Sequence, residues 1–223
     1  MVLRGLFHFL TVAGVVLAVQ MALADTVQGV ARLIDGDTIE VQEQVVRLHG
    51  IDAPETGQRC FDGDDHAYSC GKDATNALRE LIRGRPVICD GDTFDAYDRL
   101  VAKCRTTQYD LNFEMVRQGW AVAFRKYSDD YLEQEVDAFK AGRGIWRGQF
   151  QRPYLMRAER WRAAQQTAPN GCPIKGNISD RGRIYHAPWS QYYSRTRINT
   201  AKGERWFCSE ADAIRAGWRA PYR

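Results

Sequence analysis

The sequence predicts an α+β protein: a small, open or closed β-barrel with helices interleaved late, followed by a small separate module. Three observations carry that reading. Between Asp25 and Gln151, β-rich runs come first and segments of helical spacing follow, about five short strands and three helices in all. The charge then changes sign. Residues 25–151 hold 16 Lys/Arg and 23 Asp/Glu, a balance of −7, whereas residues 152–223 hold 14 and 5, a balance of +9. Finally, Thr167-Ala168-Pro169-Asn170-Gly171 reads as a linker that sets off an aromatic, cysteine-bearing tail.

The elements follow in order. Val27–Leu33 and Thr38–Val41 read as strands broken at Asp35-Gly36-Asp37, and Gln44–Leu48 as a third, paired to the second through a tight turn. Pro54 ends the extended run, and residues 56–71 form a polar, Gly/Asp-rich loop. From Lys72 to Ile82 apolar residues recur at Ala74, Ala77, Leu78, Leu81 and Ile82, which is helical spacing stopped by Gly84. Val87–Cys89 and Leu100–Arg105 flank a loop and read as a hairpin. Leu111–Gln118 is a short helix ended by Gly119. Ser128 is placed as the cap of a longer helix with Tyr131, Leu132, Val136 and Phe139 on one face. Residues 152–171 begin as a helix and end as a linker. Residues 172–223 close with a helix over Ser209–Ala216, capped by Ser209.

The N-terminus has a positive start at Arg4, an apolar stretch from Leu6 to Leu23, and small residues around Ala22-Leu23-Ala24. Residues 1–24 therefore read as a secretory signal removed after Ala24, with an uncleaved membrane anchor as the alternative. Export places the remainder in a periplasm or outside the cell. No later apolar run is long enough to span a bilayer. Six cysteines suit an oxidising compartment, where an even count favours disulfides. Six allow 15 pairings, and locality favours Cys60–Cys70, Cys89–Cys104 and Cys172–Cys208. A zinc site is the rival, but no CxxC occurs and the spacing fits no common zinc pattern.

The stretch "RLIDGDTIEVQEQVVRLHGIDAPE", Arg32 to Glu55, carries an unusual load of charge for strands. Oxygen ligands from Asp37 and Asp52 suit a hard cation. Arg47, in the strand between them, offers a fixed fork of donors that fits a phosphate. Glu55, just after Pro54, is a carboxylate that could accept a proton. A cation, a forked donor and a base are the parts that let water attack a phosphodiester. The bland reading is two Asp turns and a solvated arginine.

The ordered set "IDGDT", "VRLHGIDAPE", "DAYDRLVAKC" and "EMVRQGWAVAF" decides between them. It resembles the staphylococcal nuclease (thermonuclease) family over roughly Val27 to Trp146. The resemblance implies an OB-like five-stranded β-barrel with three helices. It implies a Ca²⁺-dependent phosphodiesterase acting on DNA and RNA with little sequence preference, breaking the 5′ P–O bond. It also implies roles: Asp37 and Asp52 as metal ligands, with the Ala53 backbone carbonyl beside them and Asp35 acting through water. Glu55 is implied as general base, Arg47 and Arg99 as phosphate clamps, and Tyr127 as an aromatic along the nucleotide pocket. The chain departs from the family at Asp98, where glycine is usual before the second arginine. Asp tolerates a positive φ better than most residues, yet its carboxylate could weaken the grip of Arg99 on phosphate.

The implied organisation is a signal (1–24), a nuclease-like barrel (25–151), a helical linker (152–171) and a basic, aromatic C-terminal module (172–223). From Arg152 onward there are 10 aromatics; most are expected to form the core of that small module, and its basic surplus to tether nucleic acid. The competing function is non-catalytic: a scaffold barrel with a tail that holds nucleic acid or an acidic envelope polysaccharide.

Overall fold

The computed structural model describes residues 25–222, so the stretch read as a secretion signal lies outside the described residues. In chain order come β1 (Asp25–Gly29), β2 (Ala31–Leu33), β3 (Thr38–Val41), β4 (Gln44–Leu48), β5 (Ile51–Asp52), β6 (Cys60–Phe61), β7 (Ala67–Tyr68), α1 (Cys70–Ile82), β8 (Val87–Phe94) and β9 (Leu100–Arg105). Then follow α2 (Leu111–Arg117), β10 (Val122–Ala123), α3 (Leu132–Lys140), α4 (Pro153–Thr167), β11 (Ile174–Ser179), β12 (Gly182–His186), β13 (Arg205–Phe207) and α5 (Glu210–Arg215).

The run expected as one strand from Val27 to Leu33 is two strands separated by Val30, and that break shapes the sheet. The order is β1-β8-β9-β4-β3-β2, with β4 and β9 parallel and every other pair antiparallel. The edge strands β1 and β2 are thus joined by a single residue, so the sheet must curl into a barrel. Alternation follows the pleat: Leu100, Ala102 and Cys104 of β9 point inward, while Lys103 and Arg105 point out. Ile39, Val46, Leu48 and Leu100 fill the interior, and Leu78 of α1 with Leu111 and Met115 of α2 packs against it.

The third helix starts later than Ser128. The Ser128 hydroxyl accepts from the Asp130 N–H at 3.0 Å, two residues on. That local turn competes with helix entry, and α3 begins at Leu132. All three disulfides favoured by locality form: Cys60–Cys70, Cys89–Cys104 and Cys172–Cys208. Cys89 and Cys104 are direct cross-strand partners on β8 and β9.

The C-terminal part is a three-stranded sheet, β12-β11-β13, with α5 against it. Tyr185, Phe207 and Trp218 form its core with Ile174, and Trp161 of α4 packs on that core. The Ser209 hydroxyl caps α5 by accepting from the Asp212 N–H at 3.0 Å. This part rests on the barrel: the Tyr222 hydroxyl donates to Glu40 of β3 at 2.7 Å. Among the described residues no helix is long and apolar enough to cross a membrane.

Candidate active site

The turn before β3 holds the first carboxylates. Asp35 accepts from the Asp37 N–H at 3.0 Å, which closes the turn and aims Asp37 inward. Gly36 lets this turn lie flat against its neighbours: a Cβ there would meet the Cβ of Ala53 at 2.8 Å and that of Ala74 at 3.0 Å. Asp37 is buried, and its second oxygen accepts from the Ala53 N–H at 2.6 Å, stitching the turn to the residue after Asp52. β5 carries Asp52 into the interior, opposite Val122 of β10. Glu55 follows on a segment pressed onto α1, where a Cβ on Gly71 would lie 1.7 Å from the Glu55 carbonyl oxygen.

Arg47 sits on β4 directly across from Thr38. One arm of its guanidinium donates to Asp37, and Nη2 donates to Asp52 at 3.0 Å. Two buried carboxylates and an arginine are therefore one cluster, which answers why these strands carry such charge. Burial lowers the Arg47 pKa from its usual value; Asp52 opposes that shift, and Arg99 and Arg157 add to it. Arg99, at the start of the β9 approach, lines the same cavity as Arg47, Asp35, Glu55 and Tyr127. That cavity measures about 850 Å³. Tyr127 stands at its rim, mostly exposed, edge-on to Phe124.

The φ of +60° at Asp98 is the left-handed conformation expected where the family favours glycine. The carboxylate that grips Arg99 is another one. Asp95 accepts from Arg99 Nε at 2.7 Å and from its backbone N–H at 3.1 Å. Burial lowers the Arg99 pKa, but Glu210 of α5 and Asp95 outweigh it and the net shift is upward.

The residue that sequence reasoning missed is Arg157. It lies on α4, in the segment read as a helix running into a linker. Its Nη1 donates to Asp52 Oδ1 at 2.9 Å and to Glu55 Oε1 at 2.7 Å. The start of α4 is fixed to the barrel at several points. Pro153 occupies the first turn, and the Tyr154 N–H donates to Asp52 Oδ2 at 3.0 Å, so Asp52 caps this helix from outside. Gln58 Nε2 donates to the Gln151 carbonyl at 2.7 Å, and Arg152 donates to Glu135 of α3 at 3.1 Å. Burial pushes the Glu55 carboxyl up to about 7, and Arg157 opposes the rise. Burial alone would lower the Arg157 pKa, but Glu55 and Asp52 raise it overall. Nothing in the spacing singles out Arg157 from the other basic residues of the tail. Pro153 marks a helix start, but not the carboxylate that completes it.

The C-terminal part also lines the cavity, through Tyr185, Trp189, Glu210, Trp218 and Tyr222. The Tyr185 hydroxyl donates to Glu210 at 2.9 Å. The tail aromatics therefore serve two surfaces, an internal core and the roof of the barrel site.

Asp37, Asp52 and Asp35 offer only oxygen, the donor type a hard divalent cation takes, and the Arg47 guanidinium bridges Asp37 and Asp52 in place of an ion. Among the described residues, the group whose ligand atoms all lie within 4.8 Å of one another is a different one, Asp62, Asp64 and His66, on the loop closed by Cys60–Cys70. Asp62 accepts from the backbone N–H groups of Asp64 and His66 at 3.0 and 2.9 Å, so it is explained as a turn.

The chain is similar to known proteins in two regions. A family model described as "Staphylococcal nuclease homologue" matches residues 45–148. The chain is 31% identical over 176 residues to a protein named Micrococcal nuclease of Shigella flexneri, covering 71% of this chain and 93% of that one. The chain belongs to the staphylococcal nuclease family. It is also 37% identical over 131 residues to Succinoglycan biosynthesis protein ExoI of Rhizobium meliloti (strain 1021), covering 56% of this chain and 68% of that protein. A protein named "Uncharacterized endonuclease" of Haemophilus influenzae is 32% identical over 124 residues, covering 52% of this chain and 64% of the relative. A second family model, described as ArfC, matches residues 157–220, a span that begins at Arg157. Family membership agrees with the curled mixed sheet, the helices and the disulfide-bearing C-terminal part, an OB-like α+β fold.

Proposed function

We propose that this protein is an exported, Ca²⁺-dependent and largely sequence-nonspecific nuclease that hydrolyses phosphodiester bonds of DNA, RNA or both. The observation that carries the reading is the convergence of Asp37, Asp52 and Arg47 in one buried cluster, with Glu55 and Arg99 on the same cavity. Family membership and the endonuclease names of relatives support the reaction class.

Asp37 and Asp52 would hold the cation, with the Ala53 carbonyl and, through water, Asp35 completing the set. When bound, the cation supplies positive charge to a non-bridging phosphate oxygen and to the attacking water. Glu55 takes a proton from that water. Its carboxyl is buried with a pKa raised to about 7, which suits a base working near neutrality. Arg47 and Arg99 donate to the phosphate oxygens as their charge grows, and Tyr127 at the rim offers a face for a base. The division into signal (1–24), barrel (25–151), connecting helix (152–171) and C-terminal module (172–223) belongs to the same proposal, as do export and cleavage after Ala24. Three disulfides support an oxidising compartment. A barrel kept only as a scaffold would account for the structural ties of Asp37 and Asp52, but not for Glu55 and Arg99 lining one cavity with Arg47.

The test is degradation of plasmid DNA and of an RNA by the full chain, with Ca²⁺ and with a chelator. Degradation in Ca²⁺ that stops on chelation is the expected result. Degradation indifferent to chelator removes the cation from the mechanism, and none under either condition removes the nuclease reading. Mass spectrometry of the exported chain, with Asp25 at its start, checks the signal.

A further inference from the structure

Arg157 reaches the candidate site from outside the region matched by the nuclease family model, which ends at residue 148. Its guanidinium spans Asp52 and Glu55. Both oxygens of Asp52 thereby carry protein donors: Oδ1 takes Arg157 at 2.9 Å and Arg47 at 3.0 Å, and Oδ2 takes the Tyr154 N–H at 3.0 Å. The two Asp37 oxygens are occupied as well, one by Arg47 and Thr38, the other by the Ala53 N–H.

Of these donors, Arg157 is the one placed to leave. Arg47 is set in a central strand, and the two N–H groups belong to the backbone. Arg157 is a long side chain on the cavity wall, on a helix whose buried residues are only Pro153 and Met156. Arg47 and Arg157 already share Asp52 Oδ1, so a divalent cation on this carboxylate would add to two positive charges and be repelled by both.

We propose that Arg157 is a further active-site arginine, and that its guanidinium and a divalent cation exclude one another at Asp52 and Glu55. The helix that follows the barrel thereby sets the barrel's cation affinity. This rests on the nuclease reading above and adds to it a competitor built into the chain. In the cation-free state Arg157 neutralises the buried carboxylates, as a lone buried charge requires a partner. Cation loading then displaces it into the cavity.

The test is Ca²⁺ binding by isothermal titration calorimetry to the full chain without nucleic acid, comparing wild type, Arg157→Gln and Arg157→Lys. Arg157→Gln is expected to bind Ca²⁺ at least tenfold more tightly than wild type, and Arg157→Lys, which keeps the charge, to stay near wild type. Equal or weaker binding by Arg157→Gln overturns the inference. Circular dichroism checks that each variant is folded. If the Gln variant fails to fold, Arg157→Met, which also removes the charge, decides, with binding no tighter than wild type as the overturning result. Measurable binding that ignores residue 157 overturns this inference alone. No Ca²⁺ binding by any of the three overturns the metal reading with it.

Discussion

The Arg157 guanidinium lies 2.7 Å from the Glu55 carboxylate, although 102 positions separate the two residues in the chain. One belongs to the barrel and the other to the helix that follows it. The candidate active site is thus closed by a part of the chain outside the family-defining domain, and its electrostatics belong to both.

Replacing the proposed base separates chemistry from folding. Glu55→Gln keeps the shape of the side chain and removes its basicity. Turnover on DNA at pH 8 with saturating Ca²⁺ is expected to fall by about 10²–10⁴, with an unchanged circular dichroism spectrum. Wild-type turnover in this variant removes Glu55 from the mechanism.

The raised Glu55 carboxyl makes a signed statement about stability. Its folded pKa is about 7, against an ordinary value of 4.5, and burial is the main cause. Between those values the native state holds a proton that the unfolded state has lost. The contribution of this group is therefore present below the unfolded value and is lost as pH rises to about 7. Thermal melts of cation-free protein measure it: wild-type stability relative to Glu55→Gln should decline from pH 4.5 to 7 and level off above. A difference that stays flat across that window contradicts the shift.

Gly36 couples packing to the cation site. A methyl group there meets Ala53 and Ala74 at 2.8 and 3.0 Å, with buried backbone close behind. Gly36→Ala is expected to cost about 1–3 kcal/mol in denaturant melts, the usual penalty of overpacking. It should also weaken Ca²⁺ binding in calorimetry, because the turn that carries Asp35 and Asp37 must shift. Unaltered binding would mean that the turn is not what sets those carboxylates.

Asp98 holds a left-handed backbone at φ +60° just before Arg99. A β-branched residue there is expected to lower stability by about 1–2 kcal/mol, read from melting curves. Asp98→Gly should leave stability within about 1 kcal/mol of wild type, since relief of strain is offset by a freer unfolded chain. Because Asp95, not Asp98, holds the Arg99 guanidinium, Asp98→Gly should also leave KM for DNA near the wild-type value.

Much of the fold was legible because its signals are local. The alternation of Leu100, Ala102 and Cys104, the helical spacing of Ala74, Leu78 and Leu81, and the cap at Ser209 all depend on residues a few positions apart. Errors fell where two local options compete. Ser128 can cap a helix or close a turn, and it closes a turn. Val27–Leu33 reads as one strand because nothing local says that its halves pair with opposite edges.

By itself the sequence determined the α+β pattern, the charge division, the favoured cysteine pairs, and a family resemblance over roughly Val27 to Trp146, carried by ordered motifs from Ile34 to Phe124. Those features are written in short-range periodicity and in residue types whose chemistry is the same wherever they fold. Only the tertiary structure decided that α4 delivers Arg157 to Asp52 and Glu55, and that Tyr185, Glu210 and Trp218 roof the same cavity. The reason is physical: a charge–charge contact between distant segments needs only that the fold bring them together, and it leaves no period or spacing in either segment to be read.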